Sequence, residues 1–140
     1  YYTVPLGKAD VKRSGEDITV FCYGLMVNYC LQAADILASD GIDVEVVDLR
    51  TVYPLDKATI IERSQRTGKV LLVTEDNLEG SIMSEVSAII AENCLFDLDA
   101  PIMRLAAPDV PSMPFSPTLE NEIMMNPEKI QEKMRELAQF

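Results

Sequence analysis

Six side chains that could do chemistry stand just beyond apolar runs of the sequence: Tyr23, Arg50, Glu75, Asp76, Asn77 and Asp109. Each follows a stretch that reads as a buried strand. In open α/β sheets, ligands collect beyond the carboxyl ends of the strands. Arg50 could clamp an anion, or it could form a structural bridge to a nearby carboxylate such as Asp48 or Glu75. Asp76 with Asp109 could hold a hard cation through oxygen ligands, although two acids in separate loops make a thin ligand set. Glu75 could serve as a general base if stripped of water, or it could simply accept backbone hydrogen bonds in a loop.

Other chemistries are excluded by composition. The chain has no histidine, the commonest general base and transition-metal ligand. Ser-His and Cys-His catalysis and His-based zinc sites are therefore ruled out within it. Cys22, Cys30 and Cys94 form no Cys-x-x-Cys pair. Such a scattered, odd set points to reduced, mostly buried thiols in a cytosolic protein. Cys94 has no cationic sequence neighbours that would favour a reactive thiolate. Neither a Gly-x-Gly-x-x-Gly run nor a Walker loop is present, and Gly24 stands alone after the first long apolar run; dinucleotide and P-loop phosphate binding lose their usual cradle. The residues by themselves describe an α/β domain without its own active site.

The elements that must position these side chains follow from periodicity. Ile18–Gly24 is almost wholly β-branched, aromatic or small apolar, the pattern of a strand buried on both faces. Met26, Val27, Cys30, Leu31, Ala34, Leu37 and Ala38 lie on one helical face over 26–39, and Gly41 is expected to end that helix. A second strand is expected over Ile42–Arg50, with Glu45 and Asp48 marking its ends or edges. Asp56 should cap a helix over Lys57–Arg66 that Gly68 closes. Val70–Thr74 is a third buried strand, Glu75–Gly80 a polar loop, and Ser81–Asn93 a helix. Phe96–Pro101 should turn into a last strand at Ile102–Ala106. Four prolines make 107–117 an irregular crossing, and Asn126-Pro127 opens a final amphipathic helix. Ala9–Arg13 is expected as a short edge strand after an extended Thr3–Lys8. Strands alternating with helices predict a three-layer α/β/α sandwich with right-handed crossovers.

With 140 residues, 48% of them hydrophobic, a single domain over 1–140 can bury a core without metal or disulfide staples. No apolar run is long enough for a membrane helix, and no secretory leader is recognisable. The sequence opens on Tyr1-Tyr2 rather than Met, so a piece of a longer chain is expected. The formal net charge of −11 is uneven: residues 1–70 carry 8 Lys and Arg against 10 Asp and Glu, and residues 71–140 carry 4 against 13. An acidic half disfavours nucleic acid and anionic membrane and suits a basic partner; it also serves plain solubility.

Five local signatures occur in a familiar order. They are Val4-Pro5-Leu6-Gly7-Lys8-Ala9, the run from Asp48 to Asp56 (Asp-Leu-Arg-Thr-Val-Tyr-Pro-Leu-Asp), Thr67-Gly68-Lys69, Leu98-Asp99-Ala100-Pro101 and Pro108-Asp109-Val110-Pro111. Together, over nearly the whole chain, they closely resemble the transketolase carboxy-terminal domain. The form resembled is that in the β subunit of the decarboxylating component of pyruvate and branched-chain 2-oxoacid dehydrogenase complexes. The resemblance implies a five-stranded, mostly parallel sheet with one short antiparallel strand. Ile18–Gly24 should lie at its centre, between Val44–Leu49 and Val70–Thr74.

By the same resemblance, the parent enzyme decarboxylates a 2-oxoacid with thiamine diphosphate and magnesium and passes the acyl group to a lipoyl arm. Cofactor and metal would be held by other domains, leaving this chain with no cofactor, metal or catalytic residue of its own. Its implied partners are the α subunit, a second β subunit and the basic subunit-binding domain of the lipoyl acyltransferase. The implied docking residues are Asp97, Asp99 and Phe140. Relatives often carry His where this chain has Asn28, and His-Glu where it has Thr74-Glu75, and the 115–125 segment also departs from them. A free-standing acidic interaction or nucleotide-sensing domain, and the equivalent domain of another thiamine enzyme such as transketolase, are the competing readings. The expected location is the cytoplasm.

Overall fold

The computed structural model describes residues 1–111 and 113–140. Five strands form one sheet in the order β1-β3-β2-β4-β5: β1 (Asp10–Arg13), β2 (Ile18–Cys22), β3 (Val44–Asp48), β4 (Val70–Asn77) and β5 (Met103–Ala107). β2, β3, β4 and β5 run parallel, and β1 lies antiparallel on the edge of β3, with Asp10 opposite Asp48. The helices are α1 (Leu25–Ala38), α2 (Lys57–Thr67), α3 (Ile82–Cys94), α4 (Pro117–Ile123) and α5 (Pro127–Ala138).

The period of two along each strand divides the core into two layers. Val20, Cys22, Val46, Leu71 and Val73 pack against α1 and α5. Phe21, Val47, Val70 and Leu72 pack against α2 and α3. Every residue of β2 is buried, as a central parallel strand requires. Both thiol-bearing layers are closed: Cys22, Cys30 and Cys94 are free and buried.

Helix ends follow local chemistry. Asp56 caps α2, its Oδ1 accepting from the Thr59 N–H at 3.3 Å, and Gly68 ends that helix at φ +67°. Asn126 caps α5 through its Oδ1, which accepts from the Lys129 N–H at 2.8 Å, and Pro127 takes the first helical position. α1 ends earlier than the glycine signal suggests. Its cap is Ser39, and Gly41 lies two residues later in a left-handed turn.

Four expectations need correction. β4 continues through Glu75, Asp76 and Asn77, which were expected in a loop; a register irregularity between Val73 and Asn77 lets the polar residues stay in the strand while exposed. Glu45 is neither an end nor an edge: it sits inside β3 with no exposed surface. Arg66 Nη1 reaches its Oε2 at 2.7 Å, Arg63 Nη1 lies 3.4 Å away, and Thr19 Oγ1 donates to Oε1 at 3.1 Å. α4 was not anticipated, because its seven residues are too few to show a period. Leu95–Asp97 forms a short 3₁₀ turn before the expected bend. Within the irregular crossing, position 112 lies outside the described residues.

Gly15 is needed for close approach rather than for a left-handed backbone. A β-carbon there would stand 2.3 Å from the Val44 carbonyl carbon and 2.4 Å from the Glu45 nitrogen. Gly15→Ala must push the β1–β2 turn off the start of β3. It is expected to lower stability by about 1–3 kcal/mol, seen as a lower urea midpoint with an unchanged slope. An unaltered midpoint would mean that the turn moves freely.

Candidate functional site

The carboxyl edge of the sheet carries an open hollow of about 520 Å³ lined by Tyr2, Val4, Lys12, Gly24, Asn28, Asp48 and Arg50, with Val27 at its floor. Gly24, at φ +60°, turns the chain from β2 into α1. Arg50 is held by structure. Its Nη2 bonds Asp10 Oδ2 at 2.6 Å and its backbone N–H donates to Asp48 Oδ1 at 2.9 Å. The side-chain partner is thus Asp10, not Asp48 or Glu75. Lys12 reaches Asp10 at 2.7 Å and Asp48 at 3.9 Å. A hydrogen bond from Lys12 holds the Asp10 carboxyl below its ordinary range; burial opposes it, and the charges of Lys12 and Arg50 add to the lowering. Two cations and two carboxylates neutralise one another, so the hollow has no surplus charge with which to capture an anion.

The remaining edge residues make local hydrogen bonds. Tyr23 Oη shares a 2.8 Å hydrogen bond with the Thr74 hydroxyl, and that hydroxyl also accepts from the Asp76 N–H at 3.1 Å. Asp76 Oδ1 accepts from the Asn77 N–H at 2.9 Å. Glu75, Asp76 and Asp109 are exposed, so Glu75 lacks the desolvation a general base needs. Among the described residues, no three Asp, Glu, Cys or His side chains converge on a metal-sized site. Burial first, and the Asp97 charge second, push the Cys94 thiol up, away from a reactive thiolate.

The opposite, amino edge gathers Asp97, Asp99 and Phe140. Asp97 Oδ2 accepts from Gln65 Nε2 at 3.0 Å. The Asp99 N–H donates to the Gly68 carbonyl at 2.8 Å. A β-carbon on Gly68 would meet Asp99 Oδ2 at 2.5 Å, so the carboxylate lies directly over that glycine. Lys69 Nζ donates to the Ala138 carbonyl at 3.4 Å and ties the last turn of α5 to the start of β4. This places Phe140, 61% exposed, on the same edge. Two further side chains there carry no expectation from sequence: Leu95 is 60% exposed and Phe96 is 99% exposed. The only sequence signal for them was an apolar pair at the start of an acidic turn.

Helices on both faces of a mostly parallel five-stranded sheet define an α/β domain of the doubly wound class. Residues 7–130 match the family "Transketolase, C-terminal domain", and the chain belongs to that family. It is 67% identical over 139 residues to the 2-oxoisovalerate dehydrogenase subunit β of Bacillus subtilis, covering 99% of this chain and 42% of that subunit. It is 45% identical to the pyruvate dehydrogenase E1 component subunit β of the same organism, over 99% of this chain and 42% of the relative. Among solved structures, a split gene transketolase described as an inactive β4 tetramer superposes with a TM-score of 0.86 at 22% identity, covering 99% of this chain and 44% of that one; this likeness concerns the fold. The chain therefore spans about two fifths of the length of the curated relatives it matches.

Asp56 supports the carboxyl edge. Besides capping α2, its Oδ2 accepts from the Thr59 hydroxyl at 2.8 Å and from the Ala9 N–H at 3.1 Å, anchoring the segment that leads into β1. Burial alone would raise its pKa, but the Thr59 and Ala9 hydrogen bonds and the Lys8 charge outweigh it and hold the carboxyl below the ordinary value. A depressed folded pKa stabilises the fold above the unfolded value of about 3.9, and the gain disappears as pH falls through the folded value. Asp56→Asn keeps the shape and removes the charge. It is expected to cost roughly 1 kcal/mol at neutral pH, with the two proteins converging in urea titrations below about pH 3.9. A gap that stays constant with pH would contradict the assignment.

Proposed function

We propose that the chain is the assembly domain of the β subunit of a thiamine-diphosphate-dependent 2-oxoacid dehydrogenase, itself without catalytic residues. In this reading the parent enzyme oxidatively decarboxylates pyruvate or a branched-chain 2-oxoacid and transfers the acyl group to a lipoyl arm. The greater identity to the 2-oxoisovalerate subunit than to the pyruvate subunit, 67% against 45%, favours the branched-chain substrates. Thiamine diphosphate and magnesium are assigned to the rest of that enzyme. The residues here fit neither group, because the carboxylates at the carboxyl-edge hollow are already paired with Lys12 and Arg50.

The domain's own work is to join subunits: the α subunit, a second β subunit, and the basic subunit-binding domain of the lipoyl acyltransferase. The docking role is supported by Asp97, Asp99 and Phe140 lying on the same, amino edge, with the bare Leu95 and Phe96 beside Asp97 in sequence. Carboxylates around apolar side chains suit a basic partner: charge steers the encounter and forms charge-assisted bonds, while the aromatic rings bury area. Among the described residues, no helix is long and apolar enough to cross a membrane. The acidic surface also argues against nucleic acid.

Titration of the chain with a basic subunit-binding domain from a lipoyl acyltransferase tests docking. Asp97→Asn with Asp99→Asn, and separately removal of Phe140, are each expected to weaken binding about tenfold or more. Raised salt should slow association. Identical affinities for all forms would remove the amino edge from the proposal. The parent assignment is checked by assaying the longer subunit, assembled with its α partner, on pyruvate and on branched-chain 2-oxoacids. Turnover by the 140-residue chain alone would overturn the non-catalytic reading.

A further inference from the structure

Asp97 and Asp99 keep their charges: among the described residues, neither enters an ion pair. Their backbone is fixed. Leu98, between them, packs into the layer of α2 and α3, and the acid on either side of it stays exposed. The Asp99 N–H is tied to the Gly68 carbonyl, and its carboxylate covers that glycine. The Asp97 side chain gains nothing from these anchors. It is held instead by Gln65, whose Nε2 donates to Asp97 Oδ2 at 3.0 Å.

Gln65 stands on a firm base. It lies in α2 between Arg63 and Arg66, and both arginines reach the buried Glu45. One residue further on, Thr67 Oγ1 donates to Thr19 Oγ1 at 2.9 Å. The Gly68 N–H then closes the helix on the Ser64 carbonyl at 3.0 Å. The amide thus projects from a helix end pinned to two neighbouring strands. Its chemistry matters as much as its place. A lysine or arginine at position 65 would bond Asp97 more strongly and cancel its charge. A neutral amide donates a hydrogen bond and leaves that charge whole. A carboxylate already held in place loses less freedom when a partner arrives, which favours binding.

We infer that Gln65 is a positioning residue of the amino edge: it orients the Asp97 carboxylate, with its charge uncancelled, to meet a cation of the basic partner. Gln65 acts through Asp97 and not through a contact of its own. Asp99 needs no such helper, because Gly68 already receives it. The inference rests on the docking role proposed above and deepens it by naming what sets the geometry of that surface. Charge alone would ask only for more acid on this edge. Positioning asks for a neutral donor at one place, and the two demands part company when Gln65 is replaced by glutamate.

Calorimetric titration of the chain with a basic subunit-binding domain of a lipoyl acyltransferase is the test. Gln65→Ala is expected to weaken docking about threefold to tenfold. In a chain that already carries Asp97→Ala, the same change should do nothing, since the group it positions is gone. A residue that merely supported the fold, or touched the partner itself, would keep its effect there. Gln65→Glu keeps the shape, adds a negative charge facing a basic partner and loses the donor. Attraction between charges predicts tighter docking; lost positioning predicts docking at least about threefold weaker. Position 65 is exposed, and circular dichroism checks that each variant is folded. If the unaltered chain fails to bind, the docking role falls and this inference with it. If binding needs Asp97 but ignores Gln65→Ala, or if the Gln65→Ala loss persists beside Asp97→Ala, or if Gln65→Glu binds more tightly, the inference is overturned and docking stands.

Discussion

The molecule is organised by a strand that cannot face water on either side. All five residues of β2 are buried, so its two faces must be covered independently and its two edges paired. β3 and β4 occupy those edges. α1 and α5 cover one face and α2 and α3 the other. Every other strand takes its place in relation to these, and the loops at the two ends of the sheet fall where the crossovers leave them. Apolar burial drives this arrangement, and the parallel pairing follows because each crossover contains a helix.

Within that apolar frame the Glu45 carboxylate is fully enclosed. Glu45 points from β3 toward α2, where Arg66 and Arg63 meet it and the Thr19 hydroxyl completes its coordination. Arg66 also bonds Glu16 at the entrance to β2, and the Thr67 hydroxyl donates to Thr19 Oγ1 at 2.9 Å. An isolated carboxylate in such a place would cost several kcal/mol; with these partners it fixes α2 to the amino end of the two central strands. Gly68 and Lys69, which follow α2 directly, are the residues that hold Asp99 and the end of α5. The enclosed charge and the proposed docking edge are thus mechanically adjacent.

The architecture was largely legible in the residues, for a simple reason. β2 and the apolar part of β4 bury both faces and appear as mainly apolar runs, as does β3 apart from Glu45 and Asp48, and α1, α3 and α5 show one apolar stripe each. Caps at Asp56 and Asn126 were readable because a side chain and a backbone N–H three residues apart need no tertiary partner. What escaped notice lacked a local signature. The polar end of β4 looks like a loop because strand pairing with β5, not composition, keeps it extended. α4 is too short to show a period. Glu45 looked like a strand boundary because its burial depends on two arginines about twenty residues away in sequence. Arg50 was recognisable as a structural cation, but its true partner, Asp10, lies on the antiparallel edge strand and becomes a neighbour only when β1 pairs with β3.

The division between sequence and tertiary structure therefore follows the range of the interactions. Periodicity, capping residues and missing histidine act over a few positions or over the whole composition. They determined by themselves an α/β domain with buried thiols and no histidine. Only the folded chain decided which distant residues became neighbours. It brought Asp97, Asp99 and Phe140 to one edge, left Leu95 and Phe96 bare beside Asp97, and set Gln65 against the Asp97 carboxylate. These groupings arise from strand order and crossover direction. Both depend on burying β2 from every side at once, and no short stretch of sequence encodes that.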